Sequence, residues 1–300
     1  MDNKTGEKVM QEGAKKTLGI ETRELDQLFL NLPPREAYLQ ILAKAWEGCG
    51  RALFLLALYL DGGYGPFFLD GGLACSYAFA ASRAGEPVAP AFGALKELPS
   101  VGESVRVFIR QRDMIRVRAA EGDFLAQYYL GIMYAYGEGV DPSYGEALAW
   151  FGKSAAQGFA AAQLAMGSFL RLVSEEKNDN WRKKRLEWYQ KAAEKGYAEA
   201  QLRLAQEYRL HFHDMEQAGI WYEKAARQGH PGACEIMGNF WENGYLGQED
   251  PAQALVWYRR AWLRGSPSAC NAIARMYEEG RGVPHSWKQA ALWYKKYWSR

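Results

Sequence analysis

The chain has 300 residues, of which 48% are hydrophobic and 14% aromatic, and this supply of apolar side chains excludes a largely disordered protein. Lys and Arg together number 37 and Asp and Glu 35, which gives a net charge of +2. That near balance argues against a dedicated nucleic-acid-binding protein, because such proteins gain affinity by neutralising phosphates.

The N-terminal residues 1–21 are polar and lack the apolar stretch of a secretory signal, so we expect a flexible extension. The longest apolar run, 52–60, has nine residues. A spanning helix needs about 20, so no membrane span is predicted. The four cysteines, Cys49, Cys75, Cys234 and Cys270, form no CxxC pair. Together these features predict a cytoplasmic protein with buried thiols.

A glycine recurs through the chain at intervals of 33 to 38 residues, each time after a segment that resembles WYxKAAxxG. The clearest copies end at Gly158, Gly196, Gly229 and Gly265, and weaker copies end at Gly48, Gly85 and Gly122. A period of this length over most of a chain is typical of an array in which each repeat is one hairpin of helices.

Each repeat is predicted to contain two helices, A and B, joined by turns that contain glycine. Helix A carries a small residue after an apolar one, as in Leu130–Gly131, and ends where Gly137 can adopt a left-handed conformation. Helix B carries an aromatic pair such as Trp188–Tyr189, followed by two alanines. The small residues let neighbouring helices approach closely, and a stack of hairpins buries the apolar faces that one hairpin leaves exposed.

These motifs resemble the Sel1-like repeat family, a relative of the tetratricopeptide repeat found mostly in bacteria. The pattern A-x-x-x-L-G-x-x-Y-x-x-G-x-G-V followed by A-x-x-W-Y-x-K-A-A-x-x-G matches best at 126–158 and 269–298. The resemblance implies an all-α protein, a right-handed α-α superhelix of about seven hairpins. Residues 22–122 would form degenerate repeats and 123–300 well-matched ones in one continuous solenoid. It also implies protein binding and no enzyme activity.

Motifs for catalysis or metal binding are not found in the sequence. It contains no G-x-S-x-G, HExxH or P-loop motif, so we expect no enzyme activity, no metal and no cofactor. His211 and His213 come closest to a metal-ligand spacing, but on a turn between helices we interpret them as solvated. Cys234 and Cys270 occupy equivalent A helices, whose axes lie about 8–10 Å apart, so we expect no disulfide between them.

The A-helix residues that do not pack against other helices are expected to line the concave groove of the solenoid and to bind a protein partner. They grade from apolar and aromatic residues, through arginine, to acidic and amide residues. The predicted partner-binding residues are Tyr128, Ile132, Tyr136, Leu164, Arg171, Arg209, Glu235, Asn239, Glu242, Asn271, Arg275 and Glu278. We expect Tyr128, Glu242 and Glu278 to lie off the packing face, so that replacing them has little effect on folding.

The sequence therefore predicts a non-enzymatic adaptor for another protein. One version is an immunity or chaperone-like partner of a bacterial toxin or effector; the alternatives are a regulatory scaffold in signalling or envelope assembly, or an enzyme with an unrecognised site. The final helix, 286–300, is rich in aromatic residues, among them Trp287, Trp293 and Trp298. This apolar edge is expected either to fill a gap in the superhelix or to support self-association.

Overall fold

The computed structural model of the protein describes residues 22–31, 34–47, 49–62, 77–78, 80–84, 86, 89, 112–173, 180–245 and 247–298. Within these ranges the regular elements are all helical. They fall into two compact units. Unit 1 contains the described residues up to Asp61 and from 77 to 159, and unit 2 contains those from 160 to 298.

Among its described residues, unit 1 has helical residues at 77–78 and 80–83 and four longer helices that precede a regular hairpin. These are α1 (22–31), α2 (Pro34–Trp46), α3 (Gly50–Gly62) and α4 (112–120), and the hairpin is formed by α5 (Phe124–Tyr136) and α6 (Tyr144–Ala156). The core of the unit is aromatic: the ring of Phe29 lies 4.9 Å from Tyr59, 6.2 Å from Phe124 and 6.3 Å from Phe159, centroid to centroid.

Unit 2 is a run of four hairpins in which each helix packs against the next along the chain. The hairpins are α7 (Ala160–Val173) with α8 (Asn180–Glu194), α9 (Ala198–Glu207) with α10 (Met215–Arg227), α11 (Pro231–Glu242) with α12 (Pro251–Leu263), and α13 (Ser268–Glu279) with α14 (Trp287–Trp298). The first helix of each hairpin is helix A and the second is helix B. This sequential packing is the arrangement of an α-solenoid.

The predicted glycine turns are present at every described position. The five glycines that follow helix B have φ between 83° and 97°, and Gly137 and Gly280, at the ends of α5 and α13, have φ of 72° and 69°. Residues other than glycine rarely adopt this left-handed backbone conformation. The repeat period is therefore set by the positions where the backbone must reverse. The five glycines that follow helix B are Gly122, Gly158, Gly196, Gly229 and Gly265.

The small residue of helix A receives an aromatic ring from helix B of the same hairpin. A Cβ built on Gly131 would lie 2.6 Å from the ring of Phe151, and one built on Gly238 would lie 2.6 Å from the ring of Tyr258. Neither contact is possible for a real side chain, so the predicted close approach is confirmed. The second member of the aromatic pair therefore closes each hairpin on itself.

Buried amide side chains, which the sequence analysis did not identify, join successive hairpins of unit 2. Gln201 on α9 donates from Nε2 to the backbone oxygen of Ala193 at 3.2 Å, and its Oε1 accepts from Nε2 of Gln228 at 2.7 Å. Cys234 occupies the position of Gln201 one repeat later, and its Sγ lies 3.3 Å from the backbone oxygen of Ala226. Neither Cys234 nor Cys270 forms a disulfide, as predicted.

Candidate functional site

The predicted partner-binding residues divide into exposed and buried ones. Four are exposed: Tyr136 in unit 1, and Asn239, Asn271 and Arg275 in unit 2. The half-buried ones are Leu164, Arg209, Glu235 and Glu278, and the side chain of Arg171 lies outside the described residues. Tyr128, Ile132 and Glu242 serve the packing of the protein, as set out below.

Tyr128 and Ile132 belong to the core of unit 1. Ile132 is only 7% exposed. Tyr128 is half-buried, and its ring centroid lies 5.2 Å from that of Phe159 and 5.7 Å from that of Phe151. The expectation that Tyr128 lies off the packing face is therefore wrong, because its ring packs against Phe151 and Phe159. Of the three unit 1 candidates, only Tyr136 presents a largely exposed ring.

The expectation that Glu242 lies off the packing face is wrong. Its carboxylate is only 1% exposed and accepts hydrogen bonds from Tyr258 Oη at 2.7 Å and from Nη2 of Arg275 at 2.9 Å. Nη1 of Arg281 lies 3.3 Å from the same carboxylate, and Nη2 of that arginine donates to the backbone oxygen of Glu242 at 2.9 Å. Spacing along helix A could not reveal this, because the arginines come from the following repeat.

The contact between Glu242 and Tyr258 recurs in neighbouring hairpins and forms a row of polar contacts to helix B tyrosines. The helix A residue four positions after the small residue meets the tyrosine hydroxyl of its own hairpin. Arg209 Nε donates to Tyr222 Oη at 3.2 Å, and Tyr294 Oη donates to Glu278 at 2.8 Å. Burial, and then the contact with Glu242, raises the pKa of Tyr258. The hydrogen bond with Glu278 is the main cause of the raised pKa of Tyr294. We call Arg209, Glu242 and Glu278 the tyrosine-contact row.

A second row of helix A positions in unit 2 faces outward. It consists of the residue directly after the small residue of each A helix, namely Ser168, Gln206, Asn239 and Arg275. Ser168, Asn239 and Arg275 are exposed and Gln206 is half-buried. We call this set the outer row. Two further amides are exposed: Asn271, which lies on α13, and Asn243, which caps the C-terminal end of α11.

The outer row is polar, and two helix A residues, Arg275 of that row and Glu235 outside it, are held in place by other side chains. Arg275 keeps 47% of its side chain exposed while its Nη2 atom is bound by both carboxylate oxygens of Glu242 at 2.9 Å. Glu235 is fixed in the same way, because its Oε2 accepts from Ser266 at 2.8 Å and Ser268 at 2.6 Å. Such contacts reduce the side-chain entropy that a binding partner would otherwise have to remove.

Unit 1 contains a buried charge cluster that sequence reasoning did not find. Arg51 is 3% exposed and donates to Asp26 from Nε at 2.7 Å and from Nη2 at 2.8 Å. It also lies 3.3 Å from Glu86 and 3.3 Å from Asp123, which caps α5. Burial alone would lower the pKa of Arg51, but the three carboxylates outweigh it and hold that pKa above its usual value. No sequence motif marks these residues, which come from four separate segments.

Activated nucleophiles and clusters of metal ligands are sparse in the part of the chain that the structure describes. Burial raises the pKa of the Cys234 thiol to about 11, which makes it a poor nucleophile at neutral pH. No group of three or more His, Cys, Asp or Glu residues is arranged to hold a metal ion in the described ranges. Among the described helices, none has both the length and the apolar character needed to span a membrane.

The family model of the Sel1 repeat matches residues 125–159, 186–197, 198–230, 231–266 and 267–296 of this chain. None of the curated proteins matches it. The prediction of repeats that resemble this family is therefore confirmed for five segments, and the described residues 125–159 and 186–296 contain the hairpins that those matches cover.

Several solved structures are similar to the chain. One is c5321, a protective antigen present in uropathogenic Escherichia coli strains and displaying an SLR fold, with 27% identity and a TM-score of 0.56. That match covers 87% of this chain and 56% of c5321, so the chain spans little more than half of that protein's length. A Sel1 repeat protein from Oxalobacter formigenes has 25% identity and a TM-score of 0.58 over 70% of this chain and 84% of its own.

Immunity protein Pa5087 from Pseudomonas aeruginosa has 18% identity and a TM-score of 0.49 over 72% of this chain and 82% of its own. The similarity to the E. coli and Oxalobacter structures, together with the helical hairpins, confirms the predicted all-α solenoid fold.

Proposed function

We propose that the chain, in which five segments between residues 125 and 296 match the Sel1 repeat, is a non-enzymatic adaptor that binds another protein through the outer row of unit 2 and the exposed amides beside it, Asn243 and Asn271. Repeats of this kind commonly mediate protein–protein interaction, since stacked helices present an extended surface without needing a catalytic site. The single observation that carries the proposal is that three outer-row side chains remain exposed and polar while their neighbours on the same helices are buried.

The chemistry of the outer row suits a polypeptide ligand. An amide side chain carries both donors and an acceptor, which matches the alternating N–H and C=O groups of a peptide backbone. Asn239, Asn243 and Asn271 are exposed on adjacent hairpins, and Arg275 adds a fixed guanidinium that can pair with a carboxylate of the partner. The carboxylate of Glu242 is already used within the protein, so it contributes by holding Arg275.

Two kinds of partner fit this proposal. In the first, the partner is a toxin or effector that the chain neutralises or accompanies, as an immunity protein or chaperone does. In the second, the partner is a component of a signalling or envelope assembly, and the chain is a scaffold. The cytoplasmic location and the self-association that the sequence suggests remain predictions alongside either version.

The experiment is an affinity purification with the full chain, followed by calorimetric titration of the recovered partner. Asn239→Ala and Asn271→Ala should each weaken binding by about 0.5–1.5 kcal/mol, the usual contribution of one hydrogen bond. Lys191→Glu on α8, which is exposed on helix B, is the control and should leave affinity unchanged. If the control abolishes binding while both asparagine variants bind normally, the partner contacts helix B and the proposal is wrong.

The recovered partner also separates the two versions. A partner that kills or arrests cells when expressed alone, and that the chain renders harmless, identifies an immunity role. A partner that is harmless alone and that brings further proteins into one complex with the chain identifies a scaffold.

A further inference from the structure

The last two B helices of unit 2 carry positive charge without any negative charge. Neither α12 nor α14 contains an Asp or a Glu. Their cations are Arg259 and Arg260 on α12 and Lys288, Lys295 and Lys296 on α14, and all five are exposed. Although the whole chain is nearly neutral, the outer surface of these two helices is therefore strongly cationic.

The two helices lie side by side and form one surface. The ring centroids of Trp262 on α12 and Trp293 on α14 are 5.1 Å apart in an edge-on arrangement. Nζ of Lys296 lies 3.9 Å from the ring centroid of Trp293 and 4.7 Å from that of Trp262, so this ammonium group bridges both helices. These contacts join the two helices near their C-terminal ends.

Large apolar side chains are exposed among these cations. Val256 on α12 and Leu292 on α14 occupy equivalent repeat positions and are 41% and 47% exposed. At the C-terminal ends of the two helices, Leu263 is 72% exposed and Trp298 is 81% exposed. We call these four residues, with the five cations, the cationic face.

The same helix positions in the preceding hairpins lack this combination. In α8, Glu187 takes the position of Val256 and Leu292, and Glu194 takes that of Leu263. In α10, Glu223 takes the position of Arg259 and pairs with Arg227 at 2.7 Å. The dipole of any B helix favours cations near its last turn. The dipole does not explain why α12 and α14 also expose leucines and contain no Asp or Glu. In α10, Ile220 takes the position of Val256 and is equally exposed, but that helix also carries Glu216 and Glu223. Among the described B helices of unit 2, exposed apolar residues without carboxylates are therefore confined to α12 and α14.

We propose that the cationic face binds the anionic headgroups of a lipid bilayer, with its apolar side chains entering the headgroup region. Lys and Arg are attracted to acidic lipids, and leucine and tryptophan side chains bury in the interfacial layer. The five cations require a negatively charged surface, and the four exposed apolar side chains require a surface that they can enter. The headgroup layer of an anionic bilayer meets both requirements.

Other occupants fit the face less well. Two copies of the chain meeting through it would bring two sets of cations together with no carboxylate between them, which is repulsive. A nucleic acid would satisfy the cations but would leave Val256, Leu263 and Leu292 without an apolar environment. The proposed attachment is peripheral, since it uses one side of two folded helices.

The test is co-sedimentation of the full chain with vesicles of two compositions, phosphatidylcholine alone and phosphatidylcholine with phosphatidylglycerol in equal parts. The chain should bind the anionic vesicles, should not bind the neutral ones, and should be released by high salt because charge attraction is screened. Absence of binding to anionic vesicles, or equal binding to both compositions, would overturn the proposal.

Two matched pairs of variants locate the binding surface. Lys288→Gln with Lys295→Gln removes two cations from the face and should weaken binding roughly 25-fold, at about fivefold for each charge. Lys183→Gln with Lys184→Gln removes the same charge from α8 and should have a much smaller effect. Leu292→Ser should reduce binding, whereas Leu210→Ser, which changes an exposed leucine of the π-helical turn after α9, should not.

Three further results would contradict the proposal even if the native chain binds the anionic vesicles. If the control pair weakens vesicle binding as much as the α14 pair does, the cationic face is not the contact. If light scattering shows a dimer that Leu292→Ser dissociates, or if duplex DNA binds the native chain more tightly than anionic vesicles do, the face has a different occupant.

Discussion

Replacing Arg51 with methionine should destabilise unit 1 more than any single surface change in the protein. The substitution keeps an unbranched side chain of similar length and removes the cation that contacts Asp26, Glu86 and Asp123. The side chains of these carboxylates are 16%, 6% and 10% exposed. Without the arginine, three buried negative charges would face one another with little access to water.

The size of the effect follows from that burial. Removing one partner of a buried ion pair costs about 3–5 kcal/mol, because the remaining charge is left uncompensated. In a protein unit of about 150 residues or more, each kcal/mol lowers the melting temperature by roughly 2–4 °C, so we expect a fall of about 10 °C.

Acid should partly rescue the variant. Burial already raises the pKa of Asp26 in the native protein, and the attraction of Arg51 opposes that rise. Losing the arginine raises the folded-state pKa of Asp26 further above its unfolded value. A raised carboxyl pKa disfavours the folded state as the pH rises through it, so the deficit of the variant should shrink as the pH is lowered toward 5.

Urea unfolding followed by circular dichroism at pH 7 and pH 5 measures both effects. Arg203→Met is the control: this arginine pairs with Glu199 at 2.8 Å on one turn of α9 and is half exposed, so its loss should cost less than about 0.5 kcal/mol. If the Arg51 variant is no less stable than the Arg203 variant, or if its deficit grows on acidification, the cluster does not stabilise unit 1 through charge pairing.

Three further predictions concern a pair of glycines, a pair of glutamates and one cysteine. Gly238→Ala should cost about 1–3 kcal/mol in urea unfolding, because its Cβ would meet a tyrosine ring at 2.6 Å. Gly145→Ala should stabilise α6 by about 0.5–1 kcal/mol, because its Cβ would come no closer than 4.0 Å to Oγ of Ser143. Glu242→Gln should cost about 1–3 kcal/mol by the same assay and Glu249→Gln less than about 0.5 kcal/mol, since only the former is buried; equal costs would contradict the network. Cys234 should resist alkylation by iodoacetamide at pH 8 until the chain is unfolded, as mass spectrometry of the labelled peptides can show.

The sequence predicted the fold because its strongest signals are local. Gly158, Gly229 and Gly265 reverse the backbone at fixed intervals, and the left-handed conformation that they adopt is a property of glycine itself. The pairing of Gly238 with an aromatic residue of helix B also lies within one hairpin and repeats in register. Such features can be identified without knowing how distant parts of the chain are arranged.

The candidate site was predicted less well, because exposure depends on residues from other repeats. Glu242 looks like a surface residue of helix A until Arg275 and Arg281, 33 and 39 residues later, are placed against it. Ile132 shares its repeat position with exposed Asn239, yet it is buried in unit 1. A single sequence gives the face of a helix, but not what the next element places on that face.

The A helices of unit 2 separate the residues that stabilise a hairpin from those that can recognise a partner. Glu242, in the tyrosine-contact row, is buried against Tyr258, so a change there alters folding before it alters binding. Asn239 stands three residues earlier in the outer row, where exposure lets the side chain vary with small effects on packing. Because a helix turns about 100° per residue, both rows fit on one helix without competing for space. A repeat protein built this way can change its specificity through the outer row while the glycines and tyrosines that define the solenoid stay fixed.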